Sequence, residues 1–205
     1  MLTALGWILG FASGVRHAFE PDHLAAVTTL VADRASPRRT LAFATLWGLG
    51  HAAVLVLVGG LLLAARASVP PGVERSLELA VALMLIVLGL RAIRAAVLRA
   101  RGAVTAHENA HTSLRTPLLV GVVHGFAGTG ALTALAVATL PSWAMGLLFM
   151  SLYGAGATLG MALLAGVLGL PLARLARSPR GLVALQTVAG LLSAGLGVSW
   201  GVAHW

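Results

Sequence analysis

The chain lacks cysteine and lysine and contains few charged or aromatic residues. The absence of cysteine among its 205 residues excludes disulfides and thiolate metal sites. Charged residues make up only 10% of the sequence, whereas soluble domains carry about 25%. Apolar residues make up 59%, and the mean hydropathy is +0.94. A soluble protein of this size cannot bury so much apolar surface, so we predict an integral membrane protein.

Every basic residue is an arginine, and the net charge is +8. The arginines lie in short segments between apolar runs, where they orient the chain and contact anionic lipids. We therefore expect a lipid bilayer as a partner and no nucleic acid. The first apolar run lacks a basic start and a small-residue cleavage site, so we expect it to be retained rather than removed as a signal peptide.

Six apolar runs reach the roughly 20 residues that a membrane helix needs. No connector is large enough for a soluble domain, so we predict one transmembrane domain, residues 1–205, that is an all-α polytopic bundle. The first run is too long for a straight crossing and should tilt or break. The predicted spans are about Leu2–Val31, Thr40–Ala64, Leu77–Val97, Pro117–Leu140, Trp143–Leu170 and Leu182–His204.

The arginines are distributed unequally over the two sides of this topology. The first, third and fifth connectors with their flanks carry eleven, including Arg34, whereas the other side has only Arg66 and Arg75. By the positive-inside rule, the odd connectors are cytoplasmic and both termini lie outside. The arginine- and alanine-rich, lysine-free composition is typical of a GC-rich bacterial genome. We therefore expect a multi-pass protein of the bacterial cytoplasmic (inner) membrane.

The two halves of the chain resemble each other. Residues 14–19 are similar to residues 121–126, and residues 47–51 are similar to residues 153–157, at offsets of 107 and 106. Three spans in each half require the second copy to be inverted, an arrangement found in transporters whose broken helices meet near the middle of the bilayer. Chance similarity among glycine- and alanine-rich helices is the alternative. The predicted repeats are residues 1–106 and 107–205.

Ionisable side chains are concentrated between Arg16 and His23, inside the first predicted span. Such groups are costly in a bilayer and persist where they face a cavity, pair or bind an ion. Pro21 should interrupt this helix, because its ring clashes with the carbonyl group four residues back. A continuous helix would point His17 and His23 about 120° apart, whereas an interruption lets them converge with Asp22.

Glycines surround the equivalent place in the second half, so we predict a helix break there too, at Gly128. The predicted architecture is therefore two inverted three-helix repeats, each with a broken first helix.

Imidazole and carboxylate groups without sulfur suit a borderline divalent cation such as Ni²⁺, Co²⁺ or Zn²⁺. A single buried histidine is more often a hydrogen-bonded packing residue, but the alignment of His124 with His17 favours a shared site. The candidate metal ligands are His17, Asp22, His23, His51 and His124.

Several further polar residues have open roles. Glu20 is a candidate additional ligand, proton carrier or helix cap, and Arg16 is a candidate for balancing the carboxylates or lining a cavity mouth. His107, Glu108 and His111 in the long connector are interpreted as a solvated loop, with metal collection as the alternative. His204 is expected at the membrane interface.

Residues 16–24, Arg-His-Ala-Phe-Glu-Pro-Asp-His-Leu, resemble the signature of the nickel/cobalt transporter family, His-Ala-x-Asp-Ala-Asp-His. Leu49-Gly50-His51 resembles the family's second signature. The similarity is closer to its short, six-span, urease-accessory-type members, which carry Glu-Pro-Asp-His and a His-Gly-x-Ala-Gly run like residues 124–128. Glu20 and Pro21 replace the Asp and Ala of the longer members, and Ala52-Ala53 replace the usual Ser-Thr.

The resemblance implies transport of Ni²⁺ or Co²⁺ across the cytoplasmic membrane, with the metal as substrate and no permanently bound cofactor. His17, Asp22, His23 and His51 are the matching positions. We expect one half of the bundle to move against the other and expose the site alternately. A second copy of the chain is a candidate partner.

Three alternatives remain open from the sequence. The chain could transport another substrate, such as a sulfur oxyanion or organic anion, although Glu20 and Asp22 would repel an anion. It could instead be an accessory membrane subunit that delivers metal to a partner. An intramembrane metalloenzyme is disfavoured because His-Glu-x-x-His is absent, and we expect no enzymatic activity. The Gly-x4-Gly-Lys-Ser/Thr motif is also absent, so ATP hydrolysis by this chain is not expected.

Overall fold

The computed structural model describes residues 2–31, 37–103 and 115–205. All regular structure in these ranges is helical, which confirms the all-α prediction. Arg34 and the histidines of the long connector, His107 and His111, lie outside the described residues together with Glu108. The helices are α1 (Leu2–His17), α2 (Pro21–Val31), α3 (Pro37–Ala65), α4 (Pro71–Ala100), α5 (Arg115–Thr139), α6 (Trp143–Leu175) and α7 (Pro179–Ala203).

Helices α3 to α7 are each long and apolar enough to cross a bilayer. Large apolar side chains such as Leu57, Leu61 and Val167 are exposed on the outside of the bundle, where lipid would cover them. The chain is therefore a multi-pass membrane protein. The first predicted span is occupied by α1 and α2, of 16 and 11 residues, each shorter than a single crossing requires.

Local sequence signals fix most helix starts. Pro71 and Pro179 stand in the first turn of α4 and α7, where the missing N–H would have no partner in the helix anyway. Ser142 and Ser178 cap α6 and α7 by accepting hydrogen bonds from backbone N–H groups three residues on. These caps place tight turns at the ends of long apolar helices.

The predicted interruption at Pro21 is present. After α1 ends, the N–H of Phe19 bonds to the carbonyl oxygen of Arg16 and the N–H of Glu20 bonds to that of His17, each at 3.0 Å. Pro21 then begins α2 at a position where no backbone donor is needed, and Asp22 follows in the first turn, where a carboxylate is favoured.

The predicted break at Gly128 is wrong, because α5 runs without interruption from Arg115 to Thr139. Glycine keeps its N–H and has no ring, so it remains in a helix at a cost of about 1 kcal/mol, whereas proline costs about 3.

Helix α6 contains a proline, Pro171, and continues past it to Leu175. The helix therefore extends beyond Leu170, where the sequence predicted that the span ends.

The closely packed helix pairs join the first half of the chain to the second. Helix α1 packs along α6, α3 packs along α5 and α6, and α4 packs along α7. Gly14 of α1 lies against the carbonyl oxygen of Tyr153 in α6, and Gly121 of α5 lies against the carbonyl oxygen of Trp47 in α3. Gly121 lies 107 residues after Gly14, and Tyr153 lies 106 residues after Trp47. The two contacts are therefore related by the offsets between the similar segments of the chain.

A second pair of contacts follows the same relation. Gly156 lies against the carbonyl oxygen of Phe11, and Gly50 lies against that of Leu118. In each case a side chain on the glycine would collide with the neighbouring backbone. The close approach of α1 to α6 is thus matched by that of α5 to α3.

Candidate metal centre

The interruption between α1 and α2 brings two histidines together. His17 is the last residue of α1, and His23 lies in the first turn of α2. Their ring centroids are 4.5 Å apart, with the planes inclined by 67°. The short turn at Ala18–Glu20 therefore makes neighbours of two imidazoles that a continuous helix would separate.

Two further histidines reach the same place from α3 and α5. The His51 ring centroid lies 5.3 Å from that of His17 and 5.6 Å from that of His23. The His124 ring lies 4.7 Å from the His23 ring. His23, His51 and His124 retain only 1%, 1% and 3% of their surface, so this is an interior cluster.

Two carboxylates contact these rings. Oδ1 of Asp22 lies 3.1 Å from Nδ1 of His23 and accepts the backbone N–H of His23 at 2.9 Å. Its other oxygen, Oδ2, lies 3.6 Å from Nε2 of His124. Oε2 of Glu20 lies 2.9 Å from Nδ1 of His17. The acidic residues therefore orient His17 and His23 by close contacts, and Asp22 also lies near His124.

Five buried imidazole nitrogens have no hydrogen-bond partner among the described residues. Leaving a buried polar group unpaired costs about 1–3 kcal/mol, so an ordinary core would not accumulate such atoms. A metal ligand needs a free nitrogen lone pair, and this is what the cluster offers. The atoms are Nε2 of His17, His23 and His124 and both ring nitrogens of His51.

Aromatic rings cover the cluster on two sides. Trp47 stacks on His23, with ring centroids 5.6 Å apart and planes inclined by 2°. The Tyr153 ring lies 5.5 Å from that of His17. Trp47 and Tyr153 are 106 residues apart, which is one of the offsets between the similar segments of the sequence. They shield the imidazoles from lipid and limit their rotation.

A cavity of about 120 Å³ adjoins the cluster. It has room for a cation with several water molecules. The helices around it are α4, α5 and α7 together with the α1–α2 interruption, so it opens beside the polar cluster. Its lining residues are His17, Glu20, Asp22, His23, Glu78, Val81, His124, Ala127, Gly128 and Trp200.

Glu78 and His204 form a partly exposed pair on this side of the bundle. Oε2 of Glu78 lies 3.4 Å from Nε2 of His204. The His204 ring stacks on the Trp200 ring. The backbone carbonyl oxygen of His204 accepts a hydrogen bond from Nε of Arg75 at 2.6 Å. We call Glu78 and His204 the cavity-mouth pair.

The structure brings all five candidate ligands into one region and sets Glu20 beside His17. Arg16 is exposed and is not among the described residues that line the cavity. Sequence reasoning missed Glu78, although an acidic residue just inside a predicted span is a signal of function. It also missed the aromatic cover of Trp47 and Tyr153.

The chain is similar over most of its length to a known protein. The urease accessory protein UreH of Bacillus sp. (strain TB-90) is 29% identical over 208 residues, which cover 94% of this chain and 88% of the relative. No protein-family model matches the chain, and no solved structure matches it. The similarity to UreH extends over nearly the whole helical bundle rather than a single motif.

Proposed function

We propose that this chain transports a divalent transition-metal cation, Ni²⁺ or Co²⁺, through an intramembrane site made by His17, Asp22, His23, His51 and His124. The observation that carries the proposal is the set of buried imidazole nitrogens that have no partner among the described residues, beside a cavity lined in part by Glu20, Asp22 and Glu78. Neutral imidazoles with a carboxylate suit borderline divalent ions better than Mg²⁺ or Ca²⁺, which prefer oxygen ligands.

The proposed architecture has six crossings, with α1 and α2 forming the first, in two inverted repeats. The paired glycine contacts of Gly14 with Tyr153 and Gly121 with Trp47 support this symmetry. The arginine distribution favours cytoplasmic odd connectors and outside termini in a bacterial inner membrane. With this orientation, the cavity-mouth pair lies toward the outside, because α4 begins and α7 ends there.

The resemblance of residues 16–24 and 49–51 to nickel/cobalt transporter signatures supports the choice of metal. The similarity to a urease accessory protein agrees with the short branch of that family. Because the sequence contains no nucleotide-binding Gly-x4-Gly-Lys-Ser/Thr motif, we propose that an ion gradient, the metal gradient or a separate partner supplies the energy.

Metal flux into proteoliposomes that contain only this chain tests the proposal. We expect Ni²⁺ or Co²⁺ to accumulate faster than in protein-free vesicles, with each metal competing with the other. His23→Gln should reduce the flux to background. Transport of neither metal, together with no binding by calorimetry at neutral pH, would contradict the proposal.

A metal-delivering accessory subunit is the second candidate, and the name of the relative UreH favours it. Such a subunit would bind metal in the same cluster but would produce no flux alone. Binding without flux in proteoliposomes, and flux restored by a partner, would favour this function. Transport of an anion is disfavoured because Glu20, Asp22 and Glu78 all line the cavity.

A further inference from the structure

The buried cluster contains two three-residue groups that share His23. His17, His23 and His51 form one group, and Asp22, His23 and His124 form the other. Within each group the ligand atoms lie within 4.8 Å of one another. We propose that the transported cation occupies these groups in turn, as two alternative positions, with His23 a ligand in both.

This inference rests on the proposed function and adds an order of events to it. We call the group with Asp22 and His124 the carboxylate position, and the group with His17 and His51 the imidazole position.

Ligand geometry separates the two positions. Two ligand atoms bonded to one Zn²⁺-like ion at 2.0–2.2 Å are at most about 4.4 Å apart. Each group meets this limit after small side-chain movements, but the five candidate ligands fall into two groups rather than one. Because two divalent ions so close together repel strongly, only one position is filled at a time.

The cavity determines which position comes first. All three residues of the carboxylate position line the cavity, whereas the imidazole position has His17 and His23 there but His51 outside it and almost fully buried. A cation that arrives through the cavity therefore meets a complete ligand group first at the carboxylate position. The negative charge of Asp22 offsets part of the cost of removing water from the cation at that point.

Carboxylates orient two rings of the imidazole position by contacting the ring nitrogen that would not bind the metal. Asp22 lies at Nδ1 of His23, and Glu20 lies at Nδ1 of His17, which leaves Nε2 of both rings unpartnered among the described residues. A carboxylate at the second nitrogen fixes the tautomer and makes the ligating nitrogen more basic. Asp22 thus changes role, from metal ligand to support of His23, when the cation moves on.

The two positions differ in selectivity. The carboxylate position combines oxygen and nitrogen ligands and admits several divalent ions, whereas three imidazoles favour nickel, cobalt and zinc over magnesium or manganese. Passage through the second position therefore selects the ion after the first has captured it.

The test uses two matched variants, since each position has one histidine that the other lacks. His51→Gln removes a ligand of the imidazole position, and His124→Gln removes one of the carboxylate position. Calorimetry on the purified full chain with Ni²⁺ measures the affinities of the wild type, both variants and the double variant. Alternative positions predict that each single variant still binds one ion per chain.

The double variant should lose more affinity than the product of the two single losses, by about tenfold or more, or 1.4 kcal/mol. In a single five-ligand site, the double variant would lose no more than about the product of the two single losses, and that result would overturn the inference. In either case the wild type binds metal. Failure of the wild type to bind would instead reject the proposed function.

Flux provides the second readout. Passage through both positions predicts that His51→Gln and His124→Gln each bind Ni²⁺ but transport little of it. X-ray absorption should detect more oxygen ligation in His51→Gln than in His124→Gln. Full transport by either variant, or identical spectra for both, would overturn the two-position order. Retained metal binding shows that each variant is folded.

Discussion

Oδ2 of Asp22 lies 3.6 Å from Nε2 of His124, so two residues from opposite halves of the chain meet at one buried point. Asp22 stands in the first turn of α2 and His124 in the middle of α5. The contact exists because the interruption after His17 redirects the chain. A metal site shared by both halves can respond to any movement between them.

Neither ring nitrogen of His51 has a hydrogen-bond partner in the described part of the chain, so we predict that this residue destabilises the metal-free protein. His51→Leu should raise the apparent melting temperature in detergent, because it removes two unpaired buried polar atoms at about 1–3 kcal/mol each. For a protein of this size, each kcal/mol corresponds to roughly 2–4 °C. The same variant should lose only part of the stabilisation that Ni²⁺ gives the wild type, because Asp22, His23 and His124 still form a ligand group.

Thermal unfolding with and without Ni²⁺ measures both effects. A lower melting temperature for the metal-free variant would contradict this prediction and would mean that His51 makes stabilising contacts in the metal-free protein.

The interruption at Pro21 should be required for metal binding. Pro21→Ala permits α1 to continue through the turn, which would rotate His17 and His23 apart, so the affinity for Ni²⁺ should fall by about tenfold or more. Pro171→Ala is the matched control, because this proline lies within α6, away from the cluster. Calorimetry on both variants measures the difference. Equal affinities would show that the convergence does not depend on proline.

Two glycines of α5 should respond oppositely to the same substitution. Gly121→Ala should destabilise the bundle, because the added Cβ would collide with the carbonyl oxygen of Trp47. Gly128→Ala should be neutral or stabilise the helix by up to about 1 kcal/mol, since nothing lies within 4 Å of the new atom. Melting temperatures in detergent compare the two. Equal destabilisation would argue against the close packing of α3 on α5.

The carboxylate of Glu78 should accelerate capture of the cation without setting its final affinity. Glu78→Gln removes a negative charge from the cavity, so initial uptake at low Ni²⁺ should slow while equilibrium binding changes little. Glu74→Gln, one turn earlier on α4, is the control, because Glu74 is not among the described residues that line the cavity. Stopped-flow uptake at low and high salt measures the effect, which salt should weaken.

An unchanged uptake rate in Glu78→Gln would indicate that the cation reaches the cluster by another route. Slower uptake in Glu74→Gln as well would assign the effect to the general charge of α4 rather than to the cavity.

The interruption near Pro21 could be predicted because its cause is local. A proline ring conflicts with the backbone four residues back whatever the surroundings. Convergence of His17 and His23 followed from helix geometry alone. The error at Gly128 has a similar origin, because glycine permits an irregular backbone without requiring one. Packing of α5 against α3 is consistent with retention of the helix there.

The division of the ligands into two groups could not be predicted from the sequence. It depends on the side-chain directions of His51 and His124, which are set by the packing of α3 and α5. The contact of Glu78 with His204 likewise joins the start of α4 to the end of α7. Residue spacing within one helix contains no information about such contacts.

The close packing of α4 along α7 makes these two helices one compact pair within the bundle. These two helices, one from each half, hold each other at Gly89 and Gly190, while their contacts with the other helices are fewer. The cavity lies where this pair meets the helices that carry the histidines. Tilting of α4 and α7 together as one unit would therefore break less packing than separating them from each other.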